Sequence, residues 1–257
     1  MRAIVKYPRT RHVEGSRLQP GDFDMSAVPV DELRDKHLVV EEKVDGSNAA
    51  VSFDGDGMLL QSRGHALTGG ANERQFGLFK SWAAAHQHAF REVLGERYVM
   101  YGEWLYAKHT IFYDALPHYF LEFDVLDRET GWFLDTAARR RLLHGLPVCS
   151  VRVLAVGSGE DPRALAGPSA FRTSNWRERL RAQCVQCGVD ADRAIAESDS
   201  SLDMEGLYIK WEQDGQVKGR YKYVRASFLT AVADSMSHWM ERPLVPNLLA
   251  PGVRLHE

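Results

Sequence analysis

Cysteine is scarce in this chain. Cys149, Cys184 and Cys187 are the only three among 257 residues, an odd and sparse set that excludes a disulfide framework and points to a reducing compartment. Cys184 and Cys187 form a C-x-x-C pair, but a structural zinc needs about four ligands and no second pair stands nearby, so two thiols along one helix are expected. Long apolar runs are missing too: there is no stretch of roughly 18 apolar residues. The opening MRAIVKYPRTRH lacks the apolar core of a signal peptide, so the expectation is a cytoplasmic protein with no membrane partner. Basic charge is not in excess either. The formal net charge is −3, so nucleic acid would have to be bound through a local patch rather than a global field.

What is present is enough for one sizeable core, with 44% hydrophobic and 26% charged residues. HLVVEEKV and SNAAVSFDGDGMLLQSR read as β-runs, with DGDG as a hairpin turn. From Asn72 to about Leu94 apolar residues recur at helical spacing behind an asparagine cap. Strand character returns in RYVMYGEWLY and HYFLEFDVLD, and GWF follows a turn at RETG. Residues 135 to about 196 read as mostly helical around a short strand at SVRVLAV. MEGLYIKWE and VKGRYKYVR flank the turn QDGQ, and a helix from about Ala226 to Met240 precedes a proline-containing tail. No internal repeat or low-complexity linker divides the chain, so one α+β unit is predicted. Its main domain is residues 1–225, with a C-terminal helix and tail at 226–257.

The stretch KVDG at 43–46 is a weak signal alone, because a lysine beside a turn-forming Asp-Gly is common. Five more elements follow it in order: SRG at 62–64, YGEW at 101–104, FLEFDV at 120–125, EGLYIK at 205–210 and GRYKYVR at 219–225. This ordered set resembles the covalent nucleotidyltransferase superfamily of ATP-dependent ligases and capping enzymes, and within it the RNA ligase 2 branch most closely, over about Glu41 to Phe228. The resemblance implies an adenylation domain of antiparallel sheets flanked by helices. DNA ligases and capping enzymes usually carry an OB-fold domain after the last motif. The 32 residues after Arg225 are too few for a domain of roughly 100, so no OB-fold domain and a short helical C-terminal tail are expected.

The chemistry implied by the resemblance starts with Lys43 attacking the α-phosphate of ATP to give lysyl-AMP and pyrophosphate. AMP then passes to an RNA 5′-phosphate, and a 3′-hydroxyl displaces it, an end-joining reaction suited to RNA repair. A lysine at neutral pH is almost wholly protonated. Its pKa must therefore fall, and partial burial with Lys222 and Arg63 as cationic neighbours is the expected cause.

The family's pattern assigns Arg63 to ribose or phosphate, where a planar guanidinium suits paired oxygens. Glu103 corresponds to a glutamate that binds ribose hydroxyls or metal-held waters. Phe123 would stack on adenine, a contact tolerant of base identity, and Glu42 would read the adenine amino group. Strand alternation puts Phe123 and Glu122 on opposite faces. Glu205 matches a metal-linked acid, and Lys210 ends its strand. The family's last motif is Lys-x-Lys, and this sequence departs from it. Arg220 with Lys222 keeps the spacing and shares a strand face; Lys222 with Arg225 is the alternative.

Asp45, Glu103 and Glu205 are the expected metal-linked acids. Magnesium suits carboxylates that hold it through waters, with manganese as the alternative ion. Ser47 and Asn48 carry no expected role. The expected partners are RNA bearing 5′-phosphate and 3′-hydroxyl ends, and enzymes that heal such ends. KYPRTRH, ARRRLL at 138–143 and RERLR at 177–181 are the basic stretches that could face RNA, although such runs are usually solvated surface. Two other functions compete: sealing of DNA nicks or ends, and a nucleotide- or RNA-binding module that has lost turnover. The intact set of lysines and acids speaks against the second.

Overall fold

Alternating β-branched and aromatic residues build most of this molecule, and helices cover what the strands leave open. The computed structural model describes residues 4–17, 26–55, 57–234 and 243–256. In chain order the strands are β1 (Arg11–His12), β2 (Leu38–Lys43), β3 (Ser47–Asp54), β4 (Gly57–Ser62), β5 (Tyr98–Trp104), β6 (Phe120–Asp127), β7 (Trp132–Phe133), β8 (Cys149–Ser150), β9 (Val153–Gly157), β10 (Gly206–Gln213) and β11 (Gln216–Val224). The helices are α1 (Gly77–Ala85), α2 (Gln87–Leu94), α3 (Thr136–Leu142), α4 (Trp176–Cys187), α5 (Ala191–Ala196) and α6 (Ala226–Asp234).

Two sheets form. One has the order β1-β11-β10-β2-β9; the other runs β4-β3-β5-β6-β7, with β8 beside β6. All pairings are antiparallel except β1 with β11 and β8 with β6. The hairpin between β10 and β11 turns at Asp214 and Gly215, both at positive φ (54° and 78°), the backbone that a two-residue hairpin of strong right-handed twist requires.

The second sheet packs its outer face on α1 and α2. Val51, Phe53, Met100, Trp104 and Phe120 meet Phe79, Trp82 and Phe90, all fully buried. Each such side chain contributes on the order of 1.5–3 kcal/mol by leaving water. Val40, Leu207, Ile209 and Tyr221 of the first sheet form a separate outer cluster with Val13, Val28 and Leu33. The inner faces of the two sheets look at each other: Tyr101 and Val99 cluster with Tyr208 and Val217.

The structure departs from the sequence reading in three places. The predicted single helix from Asn72 is a 3-10 segment (Ala71–Phe76) followed by α1 and α2, which break at His86 so that Trp82 and Phe90 stay in contact at 5.2 Å between rings. Between α3 and α4 the chain gives up β8 and β9 and only one short 3-10 turn (Pro162–Leu165), so this region is less helical than predicted. The edge strand β1 lies in the predicted basic stretch KYPRTRH. The last residues of the helix predicted to reach Met240 lie outside the described residues. Beyond them the tail packs on the main core: the Asn247 side chain accepts from Tyr113 N (2.9 Å) and donates to Leu105 O (2.8 Å).

Candidate active site

Lys43 is the last residue of β2, opposite Gly206 of β10. Register places Glu41, Lys43, Tyr208, Lys210, Arg220 and Lys222 on one face of the first sheet, the face turned toward the second. After Lys43 the chain turns hard against β5. A Cβ on Gly46 would lie 2.6 Å from Leu105 Cδ2 and 2.8 Å from Trp104 O, so no larger residue fits this approach. Asp45 secures the turn: its Oδ2 accepts from the backbone N–H groups of Thr110 (2.7 Å) and Ile111 (2.8 Å), and its own N–H donates to the Tyr113 hydroxyl (2.8 Å).

The Lys43 side chain is 25% exposed, and its Nζ donates to Glu205 Oε2 at 2.5 Å. Burial draws its pKa down, but Glu205, Glu103 and Asp45 outweigh that and leave it raised. The expected fall through cationic neighbours is thus reversed here, because the first groups around this amine are carboxylates. Glu205 is pushed up to about 7 by burial, against the pull of Lys43 and Lys222. Burial likewise lifts Glu103 to about 8, and repulsion from Glu205 and Asp45 adds to it. Both acids therefore titrate close to neutrality, where proton exchange with a neighbouring amine is most effective.

Phe123 owes its place to a β-bulge. Tyr101 pairs with Asp124 and Gly102 with Glu122, so Phe123 is the extra residue on β6. Alternation is interrupted there. Phe123 packs against Tyr208 (5.9 Å between centroids), while Glu122 accepts from both Arg139 (2.9 Å) and Ser150 (2.7 Å). Arg139 also holds Glu41 of the first sheet, so Glu122 reaches that sheet's inner face through Arg139 while Phe123 meets it at Tyr208, against the prediction of opposite faces.

Lys210 is fully buried and mid-strand rather than at a strand end. It donates to the Phe123 carbonyl and pairs with Glu41 (2.9 Å) and Asp124 (3.1 Å). Arg139, inside a run expected to be solvated, has no exposed surface at all. Spacing alone could not have revealed it, because Arg140 and Arg141 beside it are exposed.

Of the two pairs proposed for the last motif, Arg220 and Lys222 share the inner face, and Lys222 lies close enough to Glu205 to lower its pKa. Arg220 stacks on Phe133 (3.8 Å) and approaches Asp124 (3.8 Å). Arg225 is buried, paired with Asp199 and donating to Met204 O (2.6 Å). The Glu42 carboxylate accepts from Ser169 and from Ala170 N (3.4 Å). Arg63 is exposed just beyond the end of β4. Asn48, given no role by sequence, sits across from Glu103 with a buried Oδ1 that has no hydrogen-bond partner among the described residues. Its position five residues after the lysine is the only signal the sequence offered.

Asp45, Glu103 and Glu205 crowd negative charge around one amine, and this repulsion adds to the burial that raises the pKa values of the two glutamates. A divalent cation fits this donor set chemically. Among the described residues, however, no three His, Cys, Asp or Glu side chains converge as a metal cage. The fit is therefore to a small hard cation held largely by waters and phosphate oxygens.

A lysine at a strand end, bonded to a buried acid between two antiparallel sheets with helices outside, defines the nucleotidyltransferase type of α+β fold. The RNA ligase family model matches residues 36–224, and the chain belongs to the RNA ligase family. Solved structures of the RNA ligase of Naegleria gruberi share the fold. An alanine variant with ATP and Mn superposes with a TM-score of 0.56 at 17% identity, covering 90% of this chain and 59% of that one. A second variant, with AMP and Mn, gives 0.56 at 16% with the same coverage, and a third, with ATP and Mn, gives 0.54 at 19%. This chain thus spans about three-fifths of the length of the ligase it resembles. No curated protein sequence matches it. Among the described residues no helix is long and apolar enough to cross a membrane.

Proposed function

We propose that this protein is an ATP-dependent RNA ligase that joins a 3′-hydroxyl to a 5′-phosphate through lysyl-AMP and RNA-adenylate intermediates. The observation that carries the reading is the bonding of Lys43 to Glu205, with Glu103, Asp45 and Lys222 around the pair, inside the stretch that matches the RNA ligase family.

Lys43 Nζ forms the bond to the α-phosphorus of ATP, and the bond to pyrophosphate breaks. Before attack its proton goes to Glu205, whose pKa near neutrality suits it to accept. Lys222 and Arg220, on the same face, offset charge on the phosphate oxygens. Phe123 supplies the stacking surface for adenine, Glu42 lies one residue before the nucleophile to read the base edge, and Lys210 holds the Phe123 carbonyl in place. Arg63 reaches the nucleotide or RNA phosphate from the end of β4. Asp45, Glu103 and Glu205 would hold magnesium or manganese through waters; when bound, that ion would screen phosphate charge and favour the neutral form of the Lys43 amine.

The substrate follows from the chemistry: ends must already carry a 5′-phosphate and a 3′-hydroxyl, so end-healing kinase and phosphatase reactions precede this one. Repair of broken RNA in the cytoplasm is the role that fits. The test is sealing of matched RNA and DNA strands with ATP and magnesium or manganese. RNA 3′-hydroxyl strands are expected to be joined, and preference for DNA would contradict the substrate assignment.

A further inference from the structure

Residues 4–17 precede the stretch matched by the family model, yet they cross from one sheet to the other beside Phe123. The Val5 carbonyl accepts from the Tyr101 hydroxyl (2.8 Å) and from Gln61 Nε2 (2.9 Å), both in the second sheet. Arg11 and His12 then pair with Tyr221 and Lys222 of the first, and Val13 N donates to Lys222 O (2.9 Å).

Between these anchors Tyr7 turns inward and is only 5% exposed. Its ring stands edge-on to Phe123 at 5.2 Å and 79°, and edge-on to Tyr101 and Phe133. The Arg220 guanidinium lies 5.2 Å from its centroid. The Tyr7 hydroxyl donates to Asp124 and also meets the Tyr208 hydroxyl. A phenol has one proton to give. Tyr7 spends it on the carboxylate, so Tyr208 must donate to Tyr7. The chain Tyr208 to Tyr7 to Asp124 therefore joins the first sheet to the second through one residue of the N-terminal segment, whose ring also packs edge-on against Phe123. Burial raises the pKa of both phenols, so both keep their protons through neutrality.

We infer that Tyr7 is a positioning residue for the nucleotide base: it fixes the angle and spacing of Phe123 and Tyr208 and so sets how tightly the base of ATP is gripped. The inference rests on the ligase reading above. A residue acting on base binding alone changes the ATP concentration for half-saturation rather than the limiting rate.

Tyr7→Phe keeps the ring and its contact with Phe123 and removes only the hydroxyl. The rate of AMP transfer to the full-length protein is measured over a range of ATP, with inorganic triphosphate, which has no base, as a competitor. Half-saturation by ATP should rise about tenfold as the loss of both hydrogen bonds of the Tyr7 hydroxyl lets Phe123 and Tyr208 shift, with triphosphate inhibition unchanged. Unchanged ATP half-saturation, or triphosphate inhibition weakened in parallel, overturns the inference. Tyr208→Phe breaks the same bond from the other side and is read by the same criteria if Tyr7→Phe does not fold. A wild-type protein that takes no label overturns the ligase reading itself, a result distinct from any difference between variants.

Discussion

Lys43 Nζ sits 2.5 Å from Glu205 Oε2, and this contact favours the charged form of the amine. Removing the acid's charge should free the amine. In ATP-free protein Glu205→Gln is expected to lower the Lys43 pKa, and the rate at which an amine-acylating reagent modifies Lys43 near neutral pH should rise. Peptide mapping by mass spectrometry checks this; a slower or equal rate contradicts the role given to the pair.

Arg139 joins Glu122 to Glu41 with no exposed surface on any of the three. Arg139→Met leaves buried Glu122 without its cation and Glu41 with Lys210 alone, and it should cost about 3–5 kcal/mol in denaturant unfolding. The neighbouring Arg140 is exposed, and Arg140→Ala should stay within about 0.5 kcal/mol. Equal effects at the two positions would rule out the buried network.

Gly46 admits no side chain without displacing Leu105 or the Trp104 carbonyl. Gly46→Ala should lose about 1–3 kcal/mol through overpacking, and it should also slow adenylylation, because the turn that carries Asp45 must shift. Thermal unfolding and the labelling rate, measured together, check both parts.

Glu103 and Glu205 make stability depend on pH in a defined direction. Their folded pKa values, about 8 and about 7, lie above the ordinary glutamate value of about 4.3, so the folded state holds protons that the unfolded chain has released. Their contribution is full below the unfolded value and is lost as pH rises through about 7 to 8. Glu103→Gln should flatten this fall between about pH 5 and pH 8. An unchanged slope in denaturant unfolding at the two ends of that range would contradict the burial of Glu103's charge.

Much of the site could be read from the sequence because its parts are local. The turn Lys43 to Gly46, the Phe-Asp pair at 123–124 and the Arg220/Lys222 spacing are each short patterns with a direct geometric meaning. The bulge at Phe123 was not legible, since one unpaired residue in β6 is decided by its partner strand β5 and by Lys210 gripping the carbonyl from the other sheet. The burial of Arg139 was hidden for a similar reason: its two partners, Glu41 and Glu122, are 98 and 17 residues away. Tyr7 was hidden because the strap that carries it is anchored entirely by long-range contacts. The sign of the Lys43 shift was also hidden, because the acids that set it, Glu205, Glu103 and Asp45, are brought to the amine by the fold.

The central claim is that Lys43 carries AMP. Incubating the protein with ATP labelled at the α-phosphate, with magnesium or manganese, should give one acid-stable AMP per chain. Peptide mapping should place it on Lys43, and Lys43→Ala should remain unlabelled. No label on the wild type, or equal label on Lys43→Ala, would contradict the account.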